Sequence, residues 1–91
     1  MKDIQWSEEK NRWLKENRGI SFEDVENAIL SGSLLDTTSH PHPKRYPNQR
    51  VFIITIRSYV FIVPFVEDEE KIFLKTCYPS RKATKHYSSK R

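Results

Sequence analysis

Cysteine is nearly absent from this chain: Cys77 stands alone, so no disulfide can close within it, and folds stapled by disulfide frameworks are excluded. Glycine is almost as scarce, with only Gly19 and Gly32, and no G-x-x-x-x-G-K or G-x-G-x-x-G loop exists to cradle a phosphate. H-E-x-x-H and paired cysteines are missing too, which removes the commonest zinc signatures. Long apolar runs are lacking. The longest, Tyr59 to Val66, is broken by Pro64 and falls far short of the roughly 18 to 20 residues that cross a bilayer. No apolar run of about 7 to 15 residues follows the initial Met-Lys, and with a single thiol the expected compartment is a reducing cytoplasm. No internal repeat is visible.

What the chain has is charge, unevenly placed. Its 91 residues carry 16 Lys and Arg against 12 Asp and Glu, a net charge of +4. Residues 1–39 hold five basic and eight acidic residues, whereas residues 40–91 hold eleven basic and four acidic ones. An acidic first part joined to a basic second part points to a polyanion partner for the basic end. The length suits one domain, 1–91, which buries roughly 60 to 65% of the surface its unfolded chain exposes. That leaves one modest core and little room for an internal cofactor.

Local signals divide the chain. Asp3 to Trp6 reads as a short strand. Ser7, followed by Glu8 and Glu9, starts a helix to about Asn17, which Gly19 ends; Trp13 and Leu14 are its only large apolar residues, which sets it at the rim of a core. Ser21 and Asp24 form a capping-box pattern with Ile20 and Val25 at staple positions, so a second helix begins at Phe22, and Gly32 stands where a left-handed cap belongs. Leu34 to Thr38 is a brief strand. His40 to Gln49, interrupted by three prolines, is an exposed basic loop. Three strands rich in Val, Ile and Phe follow, 50–57, 59–66 and 71–78, in a meander, with Pro64 marking a bulge or an unpaired stretch. Ser80 caps a last helix over 81–87. The expected fold class is α+β: an antiparallel meander with two N-terminal helices on one face and a short C-terminal helix.

Alternation along the strands orders the side chains. On 71–78, Ile72, Leu74 and Thr76 share one face and Phe73, Lys75 and Cys77 the other; on 50–57, Phe52, Ile54 and Ile56 oppose Val51, Ile53, Thr55 and Arg57. Lys75 and Arg57 are therefore expected on the open side of the sheet, and Arg81, with Lys82, Lys85, His86 and Tyr87 close behind it, at the same end. Strand 59–66 is apolar on both faces, as a buried central strand or a partner-covered one would be. His40 and His42, two apart, lack a further ligand nearby and make a poor metal site.

A sheet face carrying Arg, Lys and an aromatic suits RNA cleavage by internal transfer, in which the 2′-hydroxyl attacks its own phosphate without a metal. Such a reaction needs proton-transfer groups and cations that stabilise the phosphorane, and arginine's planar fork binds two phosphate oxygens at once. Lys44, Arg45, Arg50, Lys82 and Lys85 are candidates for RNA-phosphate contacts. Each of these cations alone is an ordinary solvated surface residue; their weight is joint.

The segments Trp6-Ser7-Glu8-Glu9-Lys10-Asn11, Gly19-Ile20-Ser21-Phe22-Glu23-Asp24-Val25 and Pro79-Ser80-Arg81-Lys82-Ala83-Thr84 with Tyr87 resemble, in order and spacing, the BrnT-like toxins of bacterial type II toxin–antitoxin systems. The resemblance implies a RelE-like fold, a metal-independent endoribonuclease that cleaves mRNA and arrests translation, and a small antitoxin partner of the ribbon-helix-helix type. It also implies Arg81 as the phosphate-stabilising residue, Arg57 and Lys75 as its assistants, and His86 or Tyr87 for proton transfer. No cofactor is expected, nor a membrane partner. Lys75 and Pro79 depart from the family's usual Arg-Ile-Ile-Ser-Ala-Arg ending. The alternative reading is a non-catalytic module that binds RNA or protein with the same basic face.

Overall fold

The computed structural model describes residues 2–88. In chain order they form β1 (Asp3–Trp6), α1 (Glu8–Arg18), α2 (Phe22–Leu30), β2 (Leu34–Ser39), β3 (Arg50–Ile56), β4 (Tyr59–Glu67), β5 (Lys71–Leu74), β6 (Tyr78–Pro79) and α3 (Arg81–Ser88). The fold is α+β. Strands β2 to β5 run as an antiparallel meander, β1 pairs with β5 in parallel, and β6 pairs with β4, giving the order β1-β5-β4-β3-β2 with β6 beside that path. The parallel strand makes the sheet mixed.

The capping signals act as their chemistry requires. The Ser7 hydroxyl accepts the Lys10 amide, and Gly19 takes the left-handed conformation, φ 62°, that ends α1. At α2 both halves of the capping box are made: Ser21 Oγ accepts the Asp24 amide, and the Asp24 carboxylate accepts the Ser21 amide. Between the helices sits a buried polar residue, Asn11. Its Oδ1 accepts the Phe22 amide and its Nδ2 donates to Glu23 Oε1, both at 2.7 Å, so neither polar atom of the buried amide lacks a partner while the helix corner is fixed. The bond from Asn11, and after it one from Glu23's own backbone, holds the Glu23 carboxyl below the usual carboxylate range.

Two apolar clusters flank the sheet. On one face Leu14, Phe22 and Val25 of the helices close over Phe52, Ile54, Val63, Phe65, Leu74 and Cys77. Phe52 and Phe65 stack with centroids 3.9 Å apart, and Trp6 stacks on Phe22 at 5.7 Å. On the other face Val51, Ile53, Val60 and Ile62 are covered by Ala83 and Tyr87 of α3 and by Tyr78. Strand β4 contributes to both clusters because it is central, which accounts for its two apolar faces. Trp13 is exposed, with Lys10 and Arg18 over its ring at 4.1 and 4.9 Å, so Leu14 is the apolar residue that carries α1 into the core.

Two strand expectations need correction. The run 71–78 is not one strand: β5 stops at Leu74 and pairing resumes at β6. The Pro64 carbonyl accepts the Lys75 amide at 2.8 Å, but proline has no N–H to return, so the ladder ends there. The irregular segment 75–77 shifts the alternation, and Cys77 joins Leu74 on the helix face instead of pointing away with Lys75. The second correction concerns Arg57. Strand β3 ends at Ile56, and Arg57 and Ser58, with φ 53° and 68°, form a two-residue hairpin loop of positive-φ residues. Arg57 thereby leaves the strand alternation that assigned it to the open side.

Candidate functional site

The helices on the two faces differ in charge: α1 mixes Lys10, Arg12, Lys15 and Arg18 with Glu8, Glu9 and Glu16. Helix α2 carries Glu23, Asp24 and Glu26 and no basic residue, whereas α3, on the opposite face, carries Arg81, Lys82, Lys85 and His86 and no acidic one. Helix α3 turns Ala83, Thr84 and Tyr87 inward and leaves Arg81, Lys82, Lys85 and His86 exposed. Its anchors are polar as well as apolar: Ser80 Oγ accepts the Ala83 amide, Thr84 Oγ1 accepts the Val60 amide at 2.9 Å, and the Tyr87 hydroxyl donates to Asp36 Oδ2 at 3.2 Å. The Tyr87 phenol is pushed up from its ordinary range by burial first and by the Asp36 charge second. His86 lies edge-on to the Tyr87 ring at 5.0 Å.

The three cations expected to act together are spread along β4. Lys75 meets the strand at Pro64, Ser80 just before Arg81 meets it at Val60, and Arg57 lies in the loop beyond Tyr59. At about 3.3 Å per residue, Lys75 and Arg57 are separated by roughly 15 Å or more along the strand. Arg57 instead lines a groove of about 650 Å³ with Asp24, Asn27 and Ser31 at the end of α2. Arg50 is paired with Glu67 at 3.0 Å, and Lys2 joins the same carboxylate at 2.9 Å; its hydrogen bond to Lys2 is the main reason that carboxyl sits low. Lys44 and Arg45 stand on the exposed loop, with Arg45 over the Tyr46 ring.

Lys75 keeps different company. It borders a cleft of about 390 Å³ whose other sheet-side walls are Pro64, Thr76 and Tyr78. The loop side supplies His40, His42, Tyr46 and Gln49. Although exposed and proline-rich, the loop is folded: the His40 amide donates to Gln49 O, the Tyr46 amide to His42 O and the Gln49 amide to Tyr46 O. His40 is buried, and its Nδ1 accepts the His42 amide at 3.0 Å while its ring packs on Tyr46 at 4.5 Å. Burial, and then the neighbouring His42, lowers its pKa; because Nδ1 accepts the His42 amide, the ring's own N–H is the one on Nε2. Burial likewise raises the Tyr78 phenol. Cys77, beneath the same segment, is fully buried with its thiol pushed up to about 12 by burial, an unreactive group. Among the described residues no three His, Cys, Asp or Glu side chains gather as metal ligands, and no helix is long and apolar enough to cross a membrane.

Sequence reasoning missed Tyr46, Tyr78 and the joint role of His40 and His42. The available signal was the chemistry of the loop itself, histidines and a tyrosine punctuated by prolines that fix their backbone. That the loop folds back against Lys75 depends on the β2–β3 pairing and the break after Leu74, both tertiary facts.

Residues 12–79 match the family described as a domain of unknown function (DUF4258), and the chain belongs to that family. No curated protein and no solved structure matches it significantly.

Proposed function

We propose that this protein is a metal-independent endoribonuclease of the toxin class, with a RelE-like architecture, that cleaves mRNA in the cytoplasm and is neutralised by a small antitoxin of the ribbon-helix-helix type. The observation that carries the reading is the carboxylate-free charge of α3. A helix with three exposed cations and no carboxylate lies on the sheet face opposite the acidic helix α2, on the side that also bears Lys75. A phosphate chain binds such a face by counterion release. The chemistry follows from residue type. A base takes the 2′ proton as the 2′-oxygen attacks phosphorus, an acid protonates the departing 5′ oxygen, and cations stabilise the charge between. Arg81 is the cation at the reacting phosphate in this reading, with Lys75, about 13 Å further along β4, and Lys82, Lys85, Lys44 and Arg45 as phosphate contacts along the strand's path. His86 is the α3 group able to move a proton; the Tyr87 hydroxyl is engaged with Asp36. Arg57 and Arg50 take smaller parts, the first on a separate groove and the second in an ion pair.

The test is induced expression of wild type beside Arg81→Ala, with growth and mRNA 5′ ends followed over time. The expected result is rapid arrest with new 5′ ends that vanish in the variant, and cleavage in vitro that survives chelation of divalent cations. A folded wild type that neither slows growth nor creates ends removes the enzyme. A second reading, an RNA-binding module without cleavage, draws on the spread of cations over α3 and the 40–49 loop; it predicts small, similar losses of affinity at each Lys or Arg.

A further inference from the structure

We propose that the cleft between the 40–49 loop and the Lys75–Tyr78 segment is a single-nucleotide subsite, holding one phosphate of an RNA strand on Lys75 and His42 and its base against the aromatic wall of Tyr46 and Tyr78. The inference rests on the RNA reading above and names where on that face one nucleotide is gripped. Its size is right, because about 390 Å³ falls within the roughly 300 to 1,000 Å³ of small-molecule sites. So is its chemistry. Lys75 is exposed at the rim, and the ion pairs among the described residues do not include it; its ammonium lies over the Phe73 ring at 5.6 Å, an apolar neighbour that leaves its charge available to an anion.

The opposite wall is built in advance. His40 is buried, its Nδ1 is committed to the His42 amide, and its ring is packed on Tyr46, so it serves as a positioning residue that fixes both His42 and the Tyr46 ring at the cleft mouth. Tyr46 and Tyr78 line the cleft, and aromatic side chains take any base, as sites for unpaired RNA do. Pro64 gives the floor, and because it donates no hydrogen bond it interrupts the ladder that would have carried Lys75 away along a strand. The same proline thus opens the cleft and places its cation.

The experiment follows ring and amide resonances of the full chain by NMR during titration with cytidine 3′-monophosphate, then with cytidine and with inorganic phosphate separately. The expected result is saturable shifts at His42, Tyr46, Thr76 and Tyr78, with affinity for either fragment at least about tenfold weaker than for the nucleotide. Lys75→Ala weakens nucleotide binding by about tenfold or more while amide dispersion is retained, and Arg12→Ala, on the far face, leaves it unchanged. His40→Gln is the positioning test: it weakens binding of the nucleotide, through both Tyr46 and His42, and weakens binding of inorganic phosphate less than Lys75→Ala does. Shifts confined to α3 or to the Arg57 groove, no saturation by about 10 mM, or equal binding by Lys75→Ala overturn the proposal. The two readings fail separately. Nucleotide binding in the cleft of a protein that cleaves no mRNA removes the ribonuclease and keeps the subsite; cleavage that is indifferent to Lys75→Ala and leaves the cleft unshifted removes the subsite and keeps the ribonuclease.

Discussion

The two faces of the sheet solve different problems with the same strands. The face under α1 and α2 is closed: two capped helices, a satisfied asparagine at their corner and eleven buried residues form a single cluster. The face under α3 holds four buried aliphatic residues, one short helix none of whose residues is fully buried, and an open cleft beside it. Stability is concentrated on the first and adaptable polar chemistry on the second, the division expected when a scaffold must hold a site without being deformed by it. The core and the candidate site of so small a chain share β4 but not a face.

The comparison breaks most visibly in the core. Phe65→Ala should cost about 3 to 5 kcal/mol in urea unfolding, enough to threaten the whole domain, whereas Ala83→Gly in α3 should cost about 1 kcal/mol and leave amide protection in α1 and α2 as it was. Equal losses would mean the faces are not energetically distinct. Next is Asn11→Ala, which orphans the buried Phe22 amide; a loss of about 1 to 3 kcal/mol is expected in the same assay, and a neutral outcome would show that water replaces the side chain.

The smallest effect is a pH dependence local to the loop. His40 has a folded pKa below the ordinary histidine value of 6.5, so the unfolded loop binds more protons in that window. The loop's stability is complete above about 6.5 and declines as pH falls toward the lower folded value, where protonation of Nδ1 removes the acceptor of the His42 amide. Hydrogen exchange corrected for its intrinsic pH dependence should show His42 and Tyr46 losing protection on acidification while Leu14 and Val25 hold theirs. Uniform loss across both would place the sensitivity elsewhere.

Much of the fold was legible because its signals are local. Ser7, Gly19, Ser21 with Asp24, Gly32 and Ser80 each specify a chain turn by their own hydrogen bonds or φ, and all of them act where the sequence places them. The parallel pairing of β1 with β5 was not legible, since nothing in Asp3–Trp6 states its partner. The Arg57–Ser58 loop was missed because neither residue is the glycine or asparagine that usually announces positive φ. Cys77 was misplaced because alternation was carried through a break whose cause, Pro64, lies on another strand. The candidate site was legible only as composition, a basic second part; which cations meet was decided by the register along β4, and it gathers Lys75 with the histidine loop rather than with Arg57.

The most direct test of the account is a map of amide shifts on adding a single-stranded RNA oligonucleotide of about six to eight residues at low salt. Shifts are expected over α3, the 40–49 loop and residues 75–78, fading as salt is raised. Shifts that run along α1 and α2 instead, or none at all, would contradict it.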